Sequence, residues 1–357
     1  MKIAFHAFDV GPGHNHALVA LEAALRNHAV TMQVGGSCGA LDLLAAKPDV
    51  LVTAVSSFKG GEEEVPIGLR AVEHGIPWVV FTDVHEAWRR PSVKDHASKV
   101  AAVLVAHPDE IGLAQKEWGY PRAECLGYPP TWGRFLRTVP KGDSVRARIT
   151  KSKDDGEAAA LANDDVVVLI CGGKDPKLNN ELLAGAIEAG RKLYGERFVV
   201  APRLHPRENE PTSEERQARE EFFAGVWKAE TAAFKSVESL VTGVNFTVAT
   251  AGATIIIYAA LLRRPVIHYD ARRVEELNLQ QVGKVGWFPV DHGAAAIASG
   301  VDGIVSAMER LATTDGMAEL TAKQSALYPD VEIQMAIEQP SEGAIISFLE
   351  REFSAKK

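Results

Sequence analysis

FTVATAGATIIIYAALLRRPVIHYD, which covers residues 246–270, contains a complete strand–turn–helix–strand pattern. The β-prone run Phe246–Ala249 precedes a turn around Gly252, and an apolar helix then runs to about Leu262. A second strand, Pro265–Tyr269, follows almost at once. Two strands joined by a helical crossover lie parallel in one sheet. The pattern therefore predicts an α/β domain.

The turn between that strand and helix, residues 250–254, has a composition suited to phosphate. Gly252 allows a ligand to approach the backbone closely, and Thr254 stands where its side chain can cap the helix. Amides around Ala253 and the positive end of the helix dipole would attract a phosphate group. A structural turn without a ligand is the alternative interpretation.

Length and composition indicate an ordinary globular protein with two domains. A chain of 357 residues is longer than one hydrophobic core usually accommodates, and its length suits two domains of about 150 residues each. A net charge of −8 argues against a nucleic-acid surface, which needs clustered lysine and arginine, although local amides can still hold a nucleotide. Three cysteines without CxxC spacing indicate neither a disulfide framework nor a zinc site.

The N-terminal sequence MKIAFHAFD is typical of a strand and not of a signal peptide. No apolar run approaches the roughly 20 residues that a membrane-spanning helix needs. We therefore expect a cytoplasmic protein.

Strand-like runs alternate with helical patterns in the first half of the chain. The strand-like runs are Ile3–Phe8, Val30–Val34, Val50–Ala54, Trp78–Phe81, Val103–Ala106 and a short one near Cys125. The helical patterns are Asn15–Asn27, Leu41–Ala46, Pro66–His74 and Glu110–Trp118. Such alternation predicts βαβ units in a mostly parallel, doubly wound sheet.

The second half repeats this alternation. Its predicted strands are Val166–Cys171, Phe198–Ala201, Phe246–Ala249, Pro265–Tyr269 and Val285–Val290. Arg216–Phe234 has the charge pattern of one long solvated helix. Ligands of doubly wound sheets bind beyond the carboxyl ends of the strands, so we expect a ligand cleft between two domains.

Composition changes after Gly127, where proline, charged and small residues replace the apolar runs. We therefore predict an N-terminal Rossmann-like domain at residues 1–130, a linker region at 131–165 and a second Rossmann-like domain at 166–335. Residues 336–357 contain a further helical pattern, which we expect to pack back on the first domain.

A glycine-rich segment with a histidine follows the first strand. In FDVGPGH, residues 8–14, Gly11 and Gly13 permit a tight turn, and His14 falls at the start of the next helix. A histidine at this point can act as general base on a hydroxyl or a water, because imidazole titrates near neutral pH. Asp83, which follows another strand, could orient His14. A histidine that only caps the helix is the alternative.

Two further strand ends in the second domain carry groups suited to a diphosphate. Gly172, Gly173 and Lys174 follow the first strand, and the paired glycines would let backbone amides line a site. Arg203 and His205 follow the next strand and could meet phosphate charge. A simple turn and ordinary surface residues are the alternatives.

Polar residues suited to a sugar follow the strand that ends near Asp270. Gln280 and Gln281 offer both donors and acceptors, which match sugar hydroxyls. Two glutamines on a surface helix are the alternative. In the first domain, we expect the run Trp88-Arg89-Arg90 to lie in an exposed loop, which would touch a membrane surface if the acceptor were a lipid.

Together these motifs resemble the GT-B group of nucleotide-sugar enzymes over nearly the whole chain. The segment Gly11–His14 resembles their glycine-rich loop, whose histidine often serves as base. KPDVLVTAVSS and HGIPWVVF resemble strands of their first domain. Residues 249–270 resemble the segment that holds diphosphate and ribose, and NLQQ, residues 278–281, resembles the donor-sugar glutamines of the lipid II N-acetylglucosaminyltransferase.

The resemblance implies two doubly wound domains facing across a cleft and a metal-independent glycosyltransferase that uses His14 as base. A UDP-type nucleotide-sugar would be the co-substrate, with no further cofactor and an acceptor that the sequence does not name. The diphosphate would contact the turns that contain Gly172–Gly173 and Gly252–Thr254. The sugar would contact Gly13, Asp270 and the two glutamines.

Several features depart from this family pattern. Tyr258, which we expect among the nucleotide-binding residues, stands where the family has its ribose-binding glutamate, and this puts the donor base in doubt. HPREN, residues 205–209, resembles a motif of the UDP-N-acetylglucosamine 2-epimerases, but it follows the second strand of its domain instead of the first. A UDP-sugar hydrolase, an epimerase and a non-catalytic nucleotide-sugar-binding homologue therefore remain as alternatives.

Overall fold

The chain divides into two compact units. The computed structural model describes residues 1–35, 40–56, 59–153, 156, 158–205, 208–230, 234, 237–250 and 253–354. The first unit comprises Met1–Arg137, Leu279–Lys284 and Val331–Lys357. The second unit comprises Thr138–Asn278 and Val285–Asp330.

The first unit contains a six-stranded sheet in which every neighbouring pair is parallel. The strands are β1 (Lys2–Ala7), β2 (Ala29–Val34), β3 (Val50–Ala54), β4 (Trp78–Phe81), β5 (Ala102–Leu104) and β6 (Ala123–Glu124). Their order across the sheet is β2-β1-β3-β4-β5-β6. All residues of β3 and β4 are buried, as expected for apolar strands that helices cover on both faces.

Helices connect these strands. They are α1 (Val10–Leu25), α2 (Ala40–Ala45), α3 (Lys59–Glu73), α4 (Pro91–Lys94), α5 (Glu110–Trp118) and α6 (Pro130–Thr138). Helix α1 begins earlier than the predicted Asn15, so the expected tight turn at Gly11–Gly13 is wrong. These residues form the first helical turn, in which the Gly13 amide donates to the carbonyl of Asp9 at 3.0 Å.

The second unit contains an eight-stranded sheet of order β14-β13-β12-β9-β10-β11-β7-β8. The strands are β7 (Thr150–Ser152), β8 (Ala158–Ala160), β9 (Val166–Cys171), β10 (Phe198–Arg203), β11 (Trp227–Glu230), β12 (Phe246–Ala249), β13 (Val266–Tyr269) and β14 (Ala296–Ala298). Neighbours from β14 to β11 are parallel, whereas β7 and β8 extend the edge in antiparallel fashion. This unit is therefore also a doubly wound α/β sheet.

The helices of this part of the chain cover the sheet. They are α7 (Gly142–Arg146), α8 (Pro176–Tyr194), α9 (Ser213–Phe223), α10 (Val237–Leu240), α11 (Ile255–Leu261), α12 (Arg272–Val282), α13 (Phe288–Asp291), α14 (Gly300–Leu311) and α15 (Thr314–Leu327). Leu182 and Ile187 of α8 and Ile304 and Met308 of α14 belong to one buried apolar cluster with the strands. That cluster is the core of the second unit.

The last two helices, α16 (Asp330–Glu338) and α17 (Ser341–Phe353), follow the second unit in sequence. Ile345, Ile346 and Leu349 of α17 share a buried core with Val19 and Ala23 of α1. Outside this core, Glu350 accepts from the Nε2 atom of His28 at 2.7 Å. The C-terminal helix thus packs within the first unit.

Three predictions of secondary structure need revision. Arg216–Phe234 is not one helix: α9 ends at Phe223, Gly225 takes a left-handed φ of 67°, and the chain enters β11. Val285–Val290 is not a strand, because the short helix α13 begins at Phe288 with Pro289 in its first turn, and β14 completes the sheet instead. Residues 131–165, predicted as a linker region, contain most of α6 and all of α7, β7 and β8.

Candidate functional site

The carboxyl ends of adjacent strands in the first unit bring several candidate residues to one edge of the sheet. Ala54 of β3 pairs with Phe81 of β4, and His6 of β1 pairs with Thr53 of β3. Residue 9 follows β1, residue 56 follows β3 and residue 83 follows β4, and each lies two positions after the last residue of its strand. The parallel register therefore places Asp9, Ser56 and Asp83 at the same edge.

His14 is exposed in α1, near the beginning of that helix. The next residue, Asn15, is buried and accepts a hydrogen bond from the amide of Thr131 at 2.9 Å. His16 is also buried and lies 5.7 Å from the ring centres of Phe5 and Phe81. Burial, and secondarily the nearby imidazole of His6, lowers the pKa of His16 to about 3. His14 thus presents its imidazole to solvent, whereas His16 is part of the core.

Gly13 is buried where α1 approaches strand β2. A Cβ atom on Gly13 would lie 2.8 Å from the Cγ1 atom of Val34. The glycine is therefore required for close packing, and its amide already bonds within the helix. A sugar contact at Gly13 remains a prediction, and it would not use that amide.

Asp83 is half-buried, and its Oδ2 atom lies 3.9 Å from the position that a Cβ atom on Gly11 would take. Burial raises the pKa of Asp83, with the guanidinium of Arg90 acting in the opposite direction and Asp9 adding to the rise. Within the described part of the chain, no hydrogen bond joins Asp83 to His14. The structure thus brings Asp83 to the start of α1 without showing the predicted orienting contact.

A buried carboxylate that the sequence did not reveal lies at the same edge. Glu64 of α3 accepts hydrogen bonds from the amide of Phe8 at 2.8 Å and from the amide of Ser56 at 2.6 Å. The Ser56 hydroxyl donates to the same carboxylate at 2.5 Å and accepts from the Asp9 amide at 3.0 Å. Burial raises the pKa of Glu64 to about 7, although these hydrogen bonds act against the rise. Glu64 and Ser56 together fix the segment between β1 and α1.

The loop that contains Trp88 is packed and not exposed as predicted. Trp88 is fully buried and donates its indole N–H to Glu110 at 2.7 Å. The other carboxylate oxygen of Glu110 lies 2.8 Å from Nδ1 of His85, and both of these side chains are fully buried. Glu86, also buried, pairs with Lys284 at 2.9 Å. Trp88 is thus buried inside the unit, whereas Arg89 and Arg90 are partly exposed, and a membrane contact through these two residues stays a prediction.

In the second unit, β9 lies between β12 and β10, and their carboxyl ends align. Cys171 of β9 pairs with Arg203 of β10 and with Ala249 of β12. A Cβ atom on Gly173 would lie 3.8 Å from the hydroxyl oxygen of Thr250. The segments after these three strands therefore leave the sheet side by side, as the parallel pattern predicts.

The Gly172–Gly173 turn is held by Asn179 of α8. The Gly173 amide donates to Oδ1 of Asn179 at 2.8 Å, and the amide group of Asn179 donates back to the Gly173 carbonyl at 2.9 Å. A Cβ atom on Gly172 would collide with the same asparagine. The Gly173 amide is thus engaged within the protein, while Lys174 next to it is exposed.

Arg203 and His205 lie at the end of the neighbouring strand and are both partly exposed. The guanidinium of Arg203 donates to the carbonyl of Phe234 at 3.1 Å, and the carbonyl of His205 accepts from the Glu208 amide at 2.9 Å. The structure therefore places two cationic or titratable groups beside the glycine turn. Contact of either with a phosphate stays a prediction.

The turn before α11 is described only in part, and Gly252 lies outside the described residues. Thr254 makes no side-chain capping hydrogen bond, so that prediction is wrong. Its backbone is helical, with φ −52° and ψ −22°, whereas a capping side chain works from an extended backbone. Ala253 is half-buried, and Tyr258, on the same helix face as Thr254, is 7% exposed.

The predicted sugar-binding residues fall in different places. Asp270 directly follows β13, and its amide donates to the carbonyl of Ala298 at 2.8 Å. Gln280 is exposed in α12, and the side chain of Gln281 lies outside the described residues. Asp270 belongs to the second unit, whereas the two glutamines belong to the first. Their joint use on one sugar remains a prediction.

The described residues bring together no group of three histidine, cysteine, aspartate or glutamate side chains that could hold a metal ion. Among the helices in that part of the chain, none has both the length and the apolar character needed to cross a membrane.

The sequence did contain one signal for the missed residues Glu64 and Glu110. Each lies four positions before a residue on the buried side of its helix, namely Gly68 and Ala114. A carboxylate on the apolar stripe of an amphipathic helix is buried and therefore needs hydrogen-bond partners. Periodicity thus indicates the burial of both carboxylates, but not their partners.

Comparison with solved structures shows extended similarity at low sequence identity. The UDP-N-acetylglucosamine 2-epimerase of Neisseria meningitidis bound to UDP-GlcNAc is 13% identical, with a TM-score of 0.63 over 98% of this chain and 100% of that chain. Acinetobacter baumannii MurG is 13% identical, with a TM-score of 0.55 over 98% and 99%. Phytolacca americana UGT2 complexed with UDP-2-fluoro-glucose and pterostilbene is 12% identical, with a TM-score of 0.58 over 99% and 100%.

The sequence itself matches no family model and no curated protein. At these identities the structural similarity establishes the fold alone. The chain has the GT-B fold, which UDP-sugar epimerases and glycosyltransferases share, and the resemblance drawn from the motifs is confirmed at that level.

Proposed function

We propose that the protein is a metal-independent glycosyltransferase that moves a sugar from a UDP-type donor to an acceptor hydroxyl, with His14 as general base. The observation that carries the proposal is the position of His14, exposed on α1 at the strand-end edge of the first unit. The shared fold supports a nucleotide-sugar substrate, because two of the compared structures contain UDP-sugars.

In the proposed reaction, His14 takes the proton of the acceptor hydroxyl while the hydroxyl oxygen attacks the anomeric carbon of the donor. The bond between that carbon and the diphosphate oxygen breaks, and the nucleoside diphosphate leaves with the electron pair. An imidazole suits this step because it accepts a proton near neutral pH. Glu64 and Ser56 support the step indirectly, since they fix the segment that precedes α1.

The second unit would hold the leaving diphosphate through positively charged side chains. Lys174 is exposed at the end of β9, and Arg203 and His205 lie at the end of the neighbouring β10. Cations fixed at this edge would stabilise the charge that develops on the diphosphate without a metal ion. The buried Tyr258 in place of the family's glutamate leaves the ribose and base contacts to other groups.

Epimerisation of the donor sugar is the second candidate, and one observation favours it. Asp9 and Asp83 lie close enough at the strand-end edge for Asp9 to raise the pKa of Asp83, and burial raises the pKa of both Asp83 and the nearby Glu64. A carboxylic acid whose pKa lies near 7, as that of Glu64 does, can donate and accept a proton near neutral pH. Hydrolysis, with a water in place of the acceptor, and binding without catalysis are the remaining outcomes.

Calorimetry with UDP in the presence and absence of EDTA tests the donor half of the proposal. We expect UDP to bind equally well with and without EDTA. Lys174→Ala should weaken binding about tenfold, because it removes a charge-assisted contact. Lys177→Ala, which changes another exposed lysine of the same region, is the matched control and should bind normally. Absence of UDP binding, or its loss in EDTA, would refute the proposal.

A further inference from the structure

A groove of about 470 Å³ lies in the first unit between the segment that follows β6 and the two C-terminal helices. Cys125 and Tyr128 line one side, and Met335 of α16 and Ala344 of α17 line the other. This volume falls within the range of about 300–1,000 Å³ that is usual for small-molecule sites. The groove therefore has the size for a small ligand.

The lining of the groove is apolar and carries little charge. Among the described lining residues, Glu332 is the one acidic residue, and none is a lysine or an arginine. Burial raises the pKa of the Cys125 thiol to about 11, and the carboxylates of Glu110 and Glu332 add to the rise. The thiol is thus uncharged near pH 7. Such a lining disfavours anions, including nucleotides and fatty acids, and accepts uncharged molecules.

Apolar side chains at the groove remain exposed in the folded chain. Met335, which lines the groove, is 53% exposed, and Val331, one turn earlier on α16 and outside the lining, is 65% exposed. Methionine side chains adapt to irregular ligands, and clustered exposed apolar groups commonly mark binding surfaces. The groove thus offers apolar surface that a ligand would remove from water.

Aromatic contacts join the groove to the edge that carries His14. The ring of Tyr128 lies 5.9 Å from that of Trp132, which lies 5.3 Å from the imidazole of His85, two positions after Asp83. The residue before Trp132 donates its amide to Asn15, the neighbour of His14. The groove and the strand-end edge are therefore parts of one packed region of the first unit.

We propose that this groove is a binding site for an uncharged, largely apolar small molecule. The volume of the groove, its apolar lining and the lack of lysine and arginine in that lining support this assignment. The assignment does not depend on the glycosyl transfer proposed above. We further propose that the groove binds an apolar part of the acceptor, and this second step rests on the proposed function. The chain of ring contacts from Tyr128 through Trp132 to His85 supports that use, because it packs the groove against the strand-end edge.

Two fluorescent probes with similar ring systems but different charge test the assignment. N-phenyl-1-naphthylamine is uncharged, whereas 1-anilinonaphthalene-8-sulfonate carries an anionic group. We expect the uncharged probe to bind with saturation and the sulfonate to bind at least about tenfold more weakly. Equal affinity for both probes, or no saturable binding of the uncharged one, would overturn the proposal.

Three variants locate the bound probe. Ala344→Trp should abolish binding by filling the groove, whereas Gln334→Trp, at an exposed position of α16 outside the lining, should leave it unchanged. Glu332→Lys should reverse the order of the two probes, because it replaces the one lining anion with a cation. Circular dichroism confirms that each variant is folded. Unchanged probe binding in Ala344→Trp would place the probe elsewhere and overturn the assignment.

UDP calorimetry on wild type and Ala344→Trp separates this inference from the proposed function. Normal UDP binding by both proteins is expected, since the groove lining carries no group suited to a diphosphate. If the uncharged probe binds the groove but UDP binds neither protein, the groove assignment stands and the proposed function fails. If UDP binds but the uncharged probe does not, the reverse holds.

Discussion

The carboxylate of Glu64 accepts a 2.8 Å hydrogen bond from the amide of Phe8, which lies 56 positions earlier in the chain. Ser56 bonds to the same carboxylate oxygen and to the amide of Asp9, so three segments meet at one buried acid. The backbone between β1 and α1 is thereby fixed, and with it the first turns of the helix that carries His14. The position of His14 at this edge therefore depends on the buried Glu64.

The first prediction concerns the effect of Glu64 on stability against pH. Burial raises its pKa from 4.5 to about 7, so the folded protein keeps a proton that the unfolded chain releases between these values. The stabilisation is fully present below pH 4.5 and is lost as pH rises through 7, a decrease of about 3 kcal/mol. The other titrating groups, including His16, act equally in both proteins. Urea unfolding at several pH values should therefore show stability falling by about 3 kcal/mol more in wild type than in Glu64→Gln as pH rises from 4.5 through 7.

Glu73→Gln is the matched control, because Glu73 is exposed on the same helix. It should keep the wild-type pH dependence. The Glu64→Gln protein also loses an acceptor for buried donors, which lowers its stability by about 1–3 kcal/mol in addition to the pH-dependent difference. The prediction is decided by the slope of the free energy of unfolding against pH, and equal slopes in wild type and Glu64→Gln would contradict it.

The second prediction concerns His16 and acid. Burial lowers its pKa from 6.5 to about 3, so the unfolded chain binds a proton that the folded protein refuses between these values. The stabilisation is fully present above pH 6.5 and is lost as pH falls toward 3. At pH 5 this group alone should lower the free energy of unfolding by about 2 kcal/mol relative to pH 7.

His16→Phe should remove that acid sensitivity, because a phenyl ring can occupy the space between Phe5 and Phe81 without titrating. His74→Phe, which changes an exposed histidine, should leave it in place. Thermal unfolding of the three proteins at pH 5 and pH 7 measures the difference. A His16→Phe protein as sensitive to acid as wild type would show that His16 is not the responsible group.

The third prediction concerns the contact of α1 with β2. Gly13→Ala places a methyl group 2.8 Å from Cγ1 of Val34, so we expect a destabilisation of about 1–3 kcal/mol. Val34→Ala removes the opposing methyl groups and should relieve much of that cost in the double variant. A double-mutant cycle by urea unfolding measures the coupling. Additive effects of the two substitutions would mean that α1 and β2 do not approach each other as closely as described.

The central strands could be predicted accurately from the sequence, whereas the short strands at the sheet edges could not. VLVTA, WVVF and VVVLIC are buried almost throughout, and continuous apolar runs identify strands covered on both faces. Strands β7, β8 and β14 have only three residues each, and β11 has four. Such short strands form because a neighbouring strand is available for pairing, and the local sequence does not show that neighbour.

For the candidate site, sequence patterns predicted positions better than contacts. Parallel strands bring their carboxyl ends to one edge, so the placement of Asp83, Gly173 and Arg203 at strand ends followed from the pattern. The partners of these groups did not follow, because they come from distant segments. The bond from Phe8 to Glu64 and the packing of Trp88 on Glu110 both depend on tertiary structure.

His14→Ala gives the most direct test of the proposed base. With a donor that binds, we expect UDP release in the presence of acceptor to fall by about 100- to 10,000-fold, the range typical of general-base removal. Donor affinity should hardly change, and His74→Ala, which alters an exposed histidine elsewhere, should retain full activity. Product analysis of the wild type should show glycosylated acceptor, with only slow release of free sugar when acceptor is absent. Turnover by His14→Ala at the wild-type rate would contradict the account.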